Sequence, residues 1–286
     1  MWKNGDMRLI KYEGLGNKFL VVIQDSVPKD SSQLAVSVCS PKNGFDADGL
    51  IFGTPSSSDG IDIHMTLFNA DGSSAEISGN GIRCLAQEIF SRSEEESLQI
   101  LTGSGVRNVT LNNLRNGEAE ISVDMGLVRE GPELPLLDFL HHESIKIVKA
   151  ATADIGNPHV VIEVETLDGV DVAAAGPHIE SLWQPVGINV HFFKAQNRTE
   201  FSMLTWERGA GVTLACGTGA SACAFVANRW GLIEETSEAT MAGGTAKINL
   251  ANNKVLLTGK SRRCLLYTSD AADEGLGVDL GGRRII

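Results

Sequence analysis

The sequence lacks the features that mark several large protein classes. Its five cysteines include no Cys-x-x-Cys pair, and no stretch approaches the ~18 apolar residues that a membrane span needs. Residues 1–6 lack the apolar core of a signal peptide and resemble a start-site extension, since a regular pattern begins only at Met7. We therefore expect a cytoplasmic protein with reduced thiols.

Clustered positive charge and cofactor motifs are also missing. The formal net charge is −12 and lysine and arginine are scattered, so we expect neither nucleic acid nor an anionic membrane as a partner. No phosphate-binding Gly-x-x-x-x-Gly-Lys and no strand-coupled Gly-x-Gly-x-x-Gly is present, and we expect no cofactor. The adjacent His141 and His142 have no third ligand at a suitable spacing, so no metal is expected.

A cysteine at the start of a predicted helix is the most informative feature. Residues 207–219 read Glu-Arg-Gly-Ala-Gly-Val-Thr-Leu-Ala-Cys-Gly-Thr-Gly, and an alanine-rich apolar run follows to Trp230. This pattern predicts that Cys216 lies at a helix N-terminus, where unpaired N–H groups and the helix dipole favour anions. A thiol there can have a lowered pKa. For Cys216 taken alone, a small buried side chain without chemistry is the alternative.

A second copy of this stretch favours the chemical interpretation. Residues 69–84 align without a gap on the stretch that begins at Glu207, which places Ser78 on Cys216. Upstream, Gly16-Asn17-Lys18-Phe19 and Gly156-Asn157-Pro158-His159 each precede an apolar strand. Self-similarity at half the chain length predicts two related halves that face each other across a pseudo-two-fold axis. Two helix N-termini then meet at one cleft.

The chain is long enough for two such domains. Its 286 residues are 42% apolar, which suits two domains of about 130 residues. We expect the first at residues 7–128, a linker at 129–143 and the second at 144–260. Residues 261–286 continue no pattern of the preceding sheet, resemble translated adapter DNA and are expected to be foreign to the fold, which would cost the second domain its last strand.

Paired helix N-termini suggest a specific chemistry. Backbone N–H groups at the cleft can hold a carboxylate while an acid–base side chain at each helix mouth addresses the adjacent carbon. Removing a proton from one face and returning one to the other inverts that carbon. A thiol suits this role because its pKa can lie near working pH, whereas a serine hydroxyl is too weak an acid without help.

The chain resembles the cofactor-independent diaminopimelate epimerases. Six motifs stand in that family's order over about residues 7 to 260: Gly14-Leu15-Gly16-Asn17-Lys18-Phe19, Phe68-Asn69-Ala70-Asp71-Gly72-Ser73, Gly79-Asn80-Gly81-Ile82-Arg83-Cys84, Gly156-Asn157-Pro158-His159, Glu207-Arg208-Gly209-Ala210-Gly211 and Ala215-Cys216-Gly217-Thr218-Gly219. The resemblance implies an α/β (α+β) fold of two pseudo-symmetric domains, each a curved, mainly antiparallel sheet around a central helix. It also implies interconversion of LL- and meso-2,6-diaminopimelate in lysine biosynthesis by two cysteines. A homodimer stays open.

The resemblance also assigns roles to individual residues. Cys216 matches the second catalytic cysteine, and Gly79-Asn80 and Gly217-Thr218 match the positions whose N–H groups hold the reacting carboxylate. Glu207 and His159 match positions beside the reacting centre, where they orient the amino group or tune the thiol. The remaining matches are substrate contacts, several at the distal end: Asn17, Asn69, Asn157, Asn189 and Arg208. Arg208 suits this physically, because a guanidinium can grip a carboxylate through two hydrogen bonds.

The sequence departs from the family at one catalytic position. Ser78 stands where the first catalytic cysteine is expected, and Cys84 lies ~9 Å further along the helix, too far to replace it. We expect Cys39, Cys84 and Cys223 to be core residues. Three outcomes stay open: Ser78 returns the proton through water or a neighbour, one thiol gives exchange or elimination without inversion, or this copy is inactive. A proline-racemase-like enzyme and a silent amino-acid-binding protein are the rival functions.

Overall fold

The computed structural model describes residues 7–136, 140–143 and 145–267. The order of elements repeats once along the chain. The first repeat contains β1 (Leu9–Gly14), β2 (Asn17–Ile23), α1 (Ser31–Cys39), β3 (Gly49–Pro55), β4 (Ile63–Asn69), β5 (Ser74–Ala75), α2 (Gly79–Phe90), β6 (Ser97–Thr102), β7 (Gly105–Arg115) and β8 (Glu118–Leu127). After β9 (Arg129–Glu130), the second contains β10 (Ile147–Asp154), β11 (Pro158–Val164), α3 (Val172–Glu180), β12 (Asn189–Ala195), β13 (Glu200–Glu207), β14 (Gly211–Thr213), α4 (Gly217–Arg229), β15 (Thr236–Met241), β16 (Gly244–Ala251) and β17 (Lys254–Tyr267).

Strand pairing is the same in the two repeats. α1 and α3 connect parallel strand pairs, β2 with β3 and β11 with β12. α2 and α4 connect the parallel pairs β4 with β6 and β13 with β15, and the other pairings inside each repeat are antiparallel. The structure thus confirms the predicted mixed fold with two pseudo-symmetric parts. The domain limits 7–128 and 144–260 stay a prediction.

Each sheet wraps around one helix. α2 is buried on nearly every side, through Ile82, Leu85, Ala86 and Phe90, and packs against strands β1, β2, β3, β7, β8 and β17. α4 is lined by alanines and packs against β10, β11, β12, β15, β16 and β17. Apolar side chains supply much of the buried surface of both helices, and the small residues of α4 let strands approach it closely. No helix in the described ranges is long and apolar enough to cross a membrane.

The two repeats are joined by a long antiparallel ladder between β8 and β17. Its pairings run from Lys254 opposite Leu127 to Arg262 opposite Glu118. Beyond this ladder, β17 continues to Tyr267 and pairs with β1, where Tyr267 lies opposite Leu9. The expectation that the sheet pattern stops at residue 260 is therefore wrong for residues 261–267. They pair with β8 and then with β1, two strands of the first repeat, and local periodicity does not reveal such a long-range pairing. Residues 268–286 lie outside the described part.

The turn between β1 and β2 places a residue other than glycine in the left-handed region. Leu15 has φ 50°, and the following Gly16 has φ 83°. Leu15 is nevertheless buried, because it packs against the Gly243–Gly244 turn of the second repeat. Burial of one side chain thus offsets an unfavourable backbone conformation.

Removing the end of β17 tests its place in the fold. A chain that ends after Lys260 loses the β1 pairing and the last rungs of the β8 ladder, so we expect its Tm to fall by roughly 10 °C relative to a chain that ends after Tyr267. Thermal unfolding followed by circular dichroism measures both. Equal Tm values for the two truncations would show that residues 261–267 are dispensable.

Candidate active site

Ser78 and Cys216 occupy equivalent places at the N-termini of the two central helices. Each is the N-cap residue, with nearly the same extended backbone: φ −132° and ψ 121° for Ser78, φ −131° and ψ 109° for Cys216. The Ser78 hydroxyl accepts a hydrogen bond from the Gly81 N–H at 3.0 Å, and the Cys216 Sγ accepts one from the Gly219 N–H at 3.3 Å. The alignment of Ser78 with Cys216 is therefore structural as well as sequential.

The N-termini of α2 and α4, called helix mouths below, meet through glycine residues. A Cβ placed on either Gly79 or Gly217 would lie 3.6 Å from the Cα of the other, so the first residues of α2 and α4 face each other at close range. A Cβ on Gly217 would also lie 2.8 Å from Cδ2 of Leu257, which leaves no room for a larger residue there. Ser78 and Cys216 directly precede these glycines. The structure thus brings both predicted acid–base residues to one junction.

Several backbone amides at this junction are available to an anion. The first N–H groups of a helix have no intrahelical partner, and here the caps engage only the third amide of each helix, at Gly81 and Gly219. The amides of Gly79, Asn80, Gly217 and Thr218 are the ones predicted to hold a carboxylate. Both helix dipoles present their positive ends to the same point, which favours negative charge there.

Burial dominates the pKa of the Cys216 thiol. Burial and then the adjacent Glu207 carboxylate raise the pKa of Cys216 well above its usual value, outweighing hydrogen bonds from Thr218 and the Gly219 amide. The sequence predicted a lowered pKa, and that prediction is wrong for this state. The helix terminus alone does not overcome the loss of hydration when the side chain is only 3% exposed.

Glu207 joins the thiol to the neighbouring strand. Its carboxyl lies beside Cys216 and accepts a hydrogen bond from the Thr213 hydroxyl at 2.6 Å, while burial raises its pKa. The next residue, Arg208, is anchored through its backbone N–H to Asn189 Oδ1 at 3.1 Å. Its Nη1 donates to the Val186 carbonyl at 2.9 Å. The end of β13 therefore places the glutamate at the thiol, and Arg208 follows it in the next turn.

The predicted asparagines are held by specific partners. Asn80 Nδ2 donates to Asn17 Oδ1 at 2.6 Å, and Asn189 Nδ2 donates to the Pro158 carbonyl at 2.9 Å. Asn157 Oδ1 lies 2.9 Å from Nε2 of His159. Asn69 is exposed and donates to the Ser73 hydroxyl at 3.0 Å. Asn17, Asn157 and Asn189 therefore belong to networks that reach other predicted site residues, whereas the side-chain hydrogen bond of Asn69 to Ser73 stays within its own loop.

The structure adds His191, which was not predicted from the sequence. Its ring packs against Gly219, where an added Cβ would lie 2.2 Å from Cε1. It therefore supports the first turn of α4, whose Gly219 N–H donates to Cys216. His159 Nδ1 lies 2.8 Å from His191 Nε2, and Thr205 Oγ1 lies 3.2 Å from His191 Nδ1. Both histidines are fully buried. A polar residue inside the apolar strand β12 was the signal that could have identified it.

The two mouths differ in their acid–base surroundings. In the first repeat, Asn69 stands at the position that corresponds to Glu207, and Ala75 stands at the position that corresponds to Thr213. The carboxyl group that accompanies the thiol thus has no equivalent at these positions of the first repeat. Cys84 cannot compensate, because it is fully buried in the core, and burial raises its pKa to about 12. Cys39 and Cys223 are core residues too, as predicted.

Known proteins with similar sequences share one description. The sequence model of the family described as diaminopimelate epimerase matches residues 9–130 and 151–264, and so extends into the end of β17. The diaminopimelate epimerase of Moorella thermoacetica is 37% identical over 269 residues, covering 88% of this chain and 95% of the relative. That of Bacillus subtilis is 35% identical over 271 residues, covering 88% and 94%.

Solved structures with little sequence similarity share the fold. A hydroxyproline epimerase from Agrobacterium vitis superposes with a TM-score of 0.69 at 15% identity, covering 94% of this chain and 93% of that one. A phenazine biosynthesis protein of the PhzF family from Bacillus anthracis gives 0.68 at 15% identity, covering 93% and 99%. At this identity the likeness concerns the fold alone.

The buried histidine pair predicts acid instability. Burial lowers the pKa of His159 to about 3 and that of His191 well below 6.5, so the unfolded chain binds more protons below pH 6.5. Their stabilising contribution is complete above pH 6.5 and is lost as pH falls towards 3. Between pH 6.5 and 5 the free energy of unfolding should fall by up to about 2 kcal/mol per histidine. Urea unfolding should show a shallower pH slope for His159→Gln than for the exposed-residue control His64→Gln, and equal slopes would contradict this.

Alkylation tests the electrostatic effect of Glu207 on the thiol. Because the Glu207 carboxylate raises the pKa of Cys216, Glu207→Gln should increase the thiolate fraction and speed iodoacetamide labelling of Cys216 at pH 8 several-fold. Glu200→Gln, an exposed glutamate on the same strand, is the matched control. Mass spectrometry of the labelled peptide gives the rates, and unchanged or slower labelling in Glu207→Gln would refute the interpretation.

Proposed function

The chain belongs to the diaminopimelate epimerase family and is an isomerase of lysine biosynthesis, and we propose that it inverts 2,6-diaminopimelate with Cys216 and Ser78 on opposite faces. The substrate is an amino acid whose α-proton is removed and replaced. The observation that carries the site proposal is the matched pair of N-caps on two helices whose first glycines are in contact.

The substrate carboxylate at the reacting carbon binds between the helix mouths. The amides of Gly79, Asn80, Gly217 and Thr218 donate to its oxygens, and both helix dipoles favour its charge. When the α-proton leaves, negative charge grows on those oxygens, so the same donors stabilise the transition state more than the ground state. The carbon between carboxylate and side chain then lies between the thiol and the hydroxyl.

Cys216 carries the proton on one face. Its raised pKa makes it a proton donor in the unliganded state. To act as a base, the thiol must first lose its proton. The neighbouring Glu207 can accept that proton, and burial favours this because it raises the pKa of the Glu207 carboxyl. The α-ammonium of a bound amino acid adds positive charge nearby and favours the thiolate. His159 and His191 stay neutral and hold the turn beneath the thiol.

Ser78 carries the proton on the other face, at a lower rate. Its hydroxyl can donate a proton and regain one from water, but a free serine is a poor base. The position that Glu207 has in the second repeat is Asn69 in the first, which has no carboxyl group. Exchange through Cys216 therefore outpaces inversion. This favours the first two of the three outcomes left open by the sequence over an inactive protein.

The distal end of the substrate binds at Arg208. The Nη1 of its guanidinium donates to the Val186 carbonyl, and the remaining N–H groups can bind a second carboxylate. Asn157 and Asn189, which are fixed by His159 and Pro158, provide polar contacts on the same side. A substrate with an amino-acid group at each end suits this arrangement.

Isotope exchange tests the proposal. In deuterium oxide, the diaminopimelate isomer whose α-proton faces Cys216 should incorporate deuterium at least ten-fold faster than it inverts, because return of the proton from Ser78 is slow. Nuclear magnetic resonance measures wash-in, and chiral chromatography measures inversion. Equal rates would refute the unequal faces, and absence of exchange would refute the function.

Restoring the second thiol separates the roles of the two faces. Ser78→Cys should raise the rate of inversion by roughly 10²-fold or more and leave exchange on the Cys216 face within a few-fold, since only the slow step gains a better acid–base group. Ser78→Ala is the matched variant and should keep exchange but lose residual inversion. Inversion that does not rise in a folded Ser78→Cys protein would contradict this account.

A further inference from the structure

Arg83 is a buried cation that the proposed mechanism does not use. Its side chain on α2 is 0% exposed, and its guanidinium has no carboxylate partner among the ion pairs of residues 7–136, 140–143 and 145–267. Its Nε has no hydrogen-bond partner there either. Burial lowers its pKa to about 10, so it stays charged at neutral pH. An unpaired buried charge is costly unless something compensates it.

The guanidinium is directed at the helix mouth of Ser78. Nη1 donates to the Gly79 carbonyl at 2.8 Å, and Nη2 donates to Asn80 Oδ1 at 2.5 Å. That fixes the Asn80 amide so that its Nδ2 donates to Asn17 Oδ1. Arg83 therefore contacts the carbonyl of the peptide group whose N–H belongs to Asn80, and it holds a side chain that reaches Asn17.

The opposite side of the guanidinium is shaped by Gly259 on β17. A Cβ at this position would lie 3.0 Å from Cζ and 3.1 Å from Nε of Arg83. A larger residue would press on the guanidinium and shift it. Strand β17, which links the two repeats, thus fixes the position of the charge from outside the helix.

The second repeat has the same hydrogen bond without the charge. Ser221 corresponds to Arg83, and its hydroxyl donates to the Gly217 carbonyl at 2.8 Å. The first carbonyl of each central helix is therefore engaged by the side chain four residues on. On the Cys216 side this side chain is neutral, and on the Ser78 side it is a cation. The Ser78 mouth is the more positive of the two.

We propose that Arg83 is a positioning residue that acts through the Gly79–Asn80 peptide group and supplies the positive charge that balances the substrate carboxylate at the Ser78 mouth. A cation on a carbonyl polarises its peptide group and makes the N–H a stronger donor. Proton removal adds charge to the carboxylate, so the cation stabilises the transition state more than bound substrate. This inference rests on the proposed function.

Charge-changing variants of the full chain test the proposal. Arg83→Gln keeps an amide donor and removes the charge, so kcat for α-proton exchange on the diaminopimelate isomer whose α-proton faces Cys216 should fall roughly 10²-fold while KM rises less than about ten-fold. Arg83→Lys keeps the charge and should recover to within about ten-fold of wild type. Ser221→Ala, the neutral counterpart, should cost less than Arg83→Gln, and Arg92→Gln at the far end of α2 controls for loss of an arginine.

The possible results separate the two levels of inference. An Arg83→Gln enzyme that is as active as Arg83→Lys, or whose only change is a raised KM, would overturn the role of the charge. The proposed function would then still stand. A wild-type chain that neither binds nor exchanges diaminopimelate would overturn the proposed function and this inference with it. If Arg83→Gln does not fold, Gly259→Ala displaces the guanidinium and keeps its charge. Its kcat should fall by less than the loss expected for Arg83→Gln while KM changes little, and unchanged kcat would overturn the proposal.

Discussion

The contact between the first turns of the two central helices is the constraint on which the rest of the site depends. A Cβ on either Gly79 or Gly217 would lie 3.6 Å from the Cα of the other, and one on Gly217 would also strike Leu257. Two helix N-termini repel each other unless negative charge lies between them. The sheets around α2 and α4, and the β8–β17 ladder that joins the repeats, hold the helices there. The same geometry favours negative charge at the junction, which is why we propose it as the carboxylate site.

The repeat gives the site symmetry in backbone and asymmetry in side chains. Both caps have nearly the same conformation, yet their side chains differ. Cys216 is a thiol beside the buried carboxyl of Glu207, whereas Ser78 is a hydroxyl in the repeat that has Asn69 in place of Glu207. The charge differs in the opposite sense, because the buried cation Arg83 lies on the hydroxyl side. The thiol side of the junction thus carries a buried carboxyl, and the hydroxyl side carries a buried cation.

The sequence predicts much of this arrangement, because local signals carry it. Glycine after a capping residue and a gapless internal repeat identify Ser78 and Cys216, and they predict that both helices meet. The raised pKa of Cys216 could not be predicted, since it depends on burial of the thiol by distant parts of the chain. His191 was missed for the same reason: its role comes from packing on Gly219, which is 28 residues away in the chain. The pairing of β17 beyond Lys260 is likewise a long-range property.

A crystal structure of the chain with diaminopimelate bound is the most direct test of the central claim. The account predicts one substrate carboxylate within hydrogen-bond distance of amides from both α2 and α4, with its α-carbon between Ser78 Oγ and Cys216 Sγ. A carboxylate held by one helix alone, or an α-carbon that is in contact with neither side chain, would contradict it.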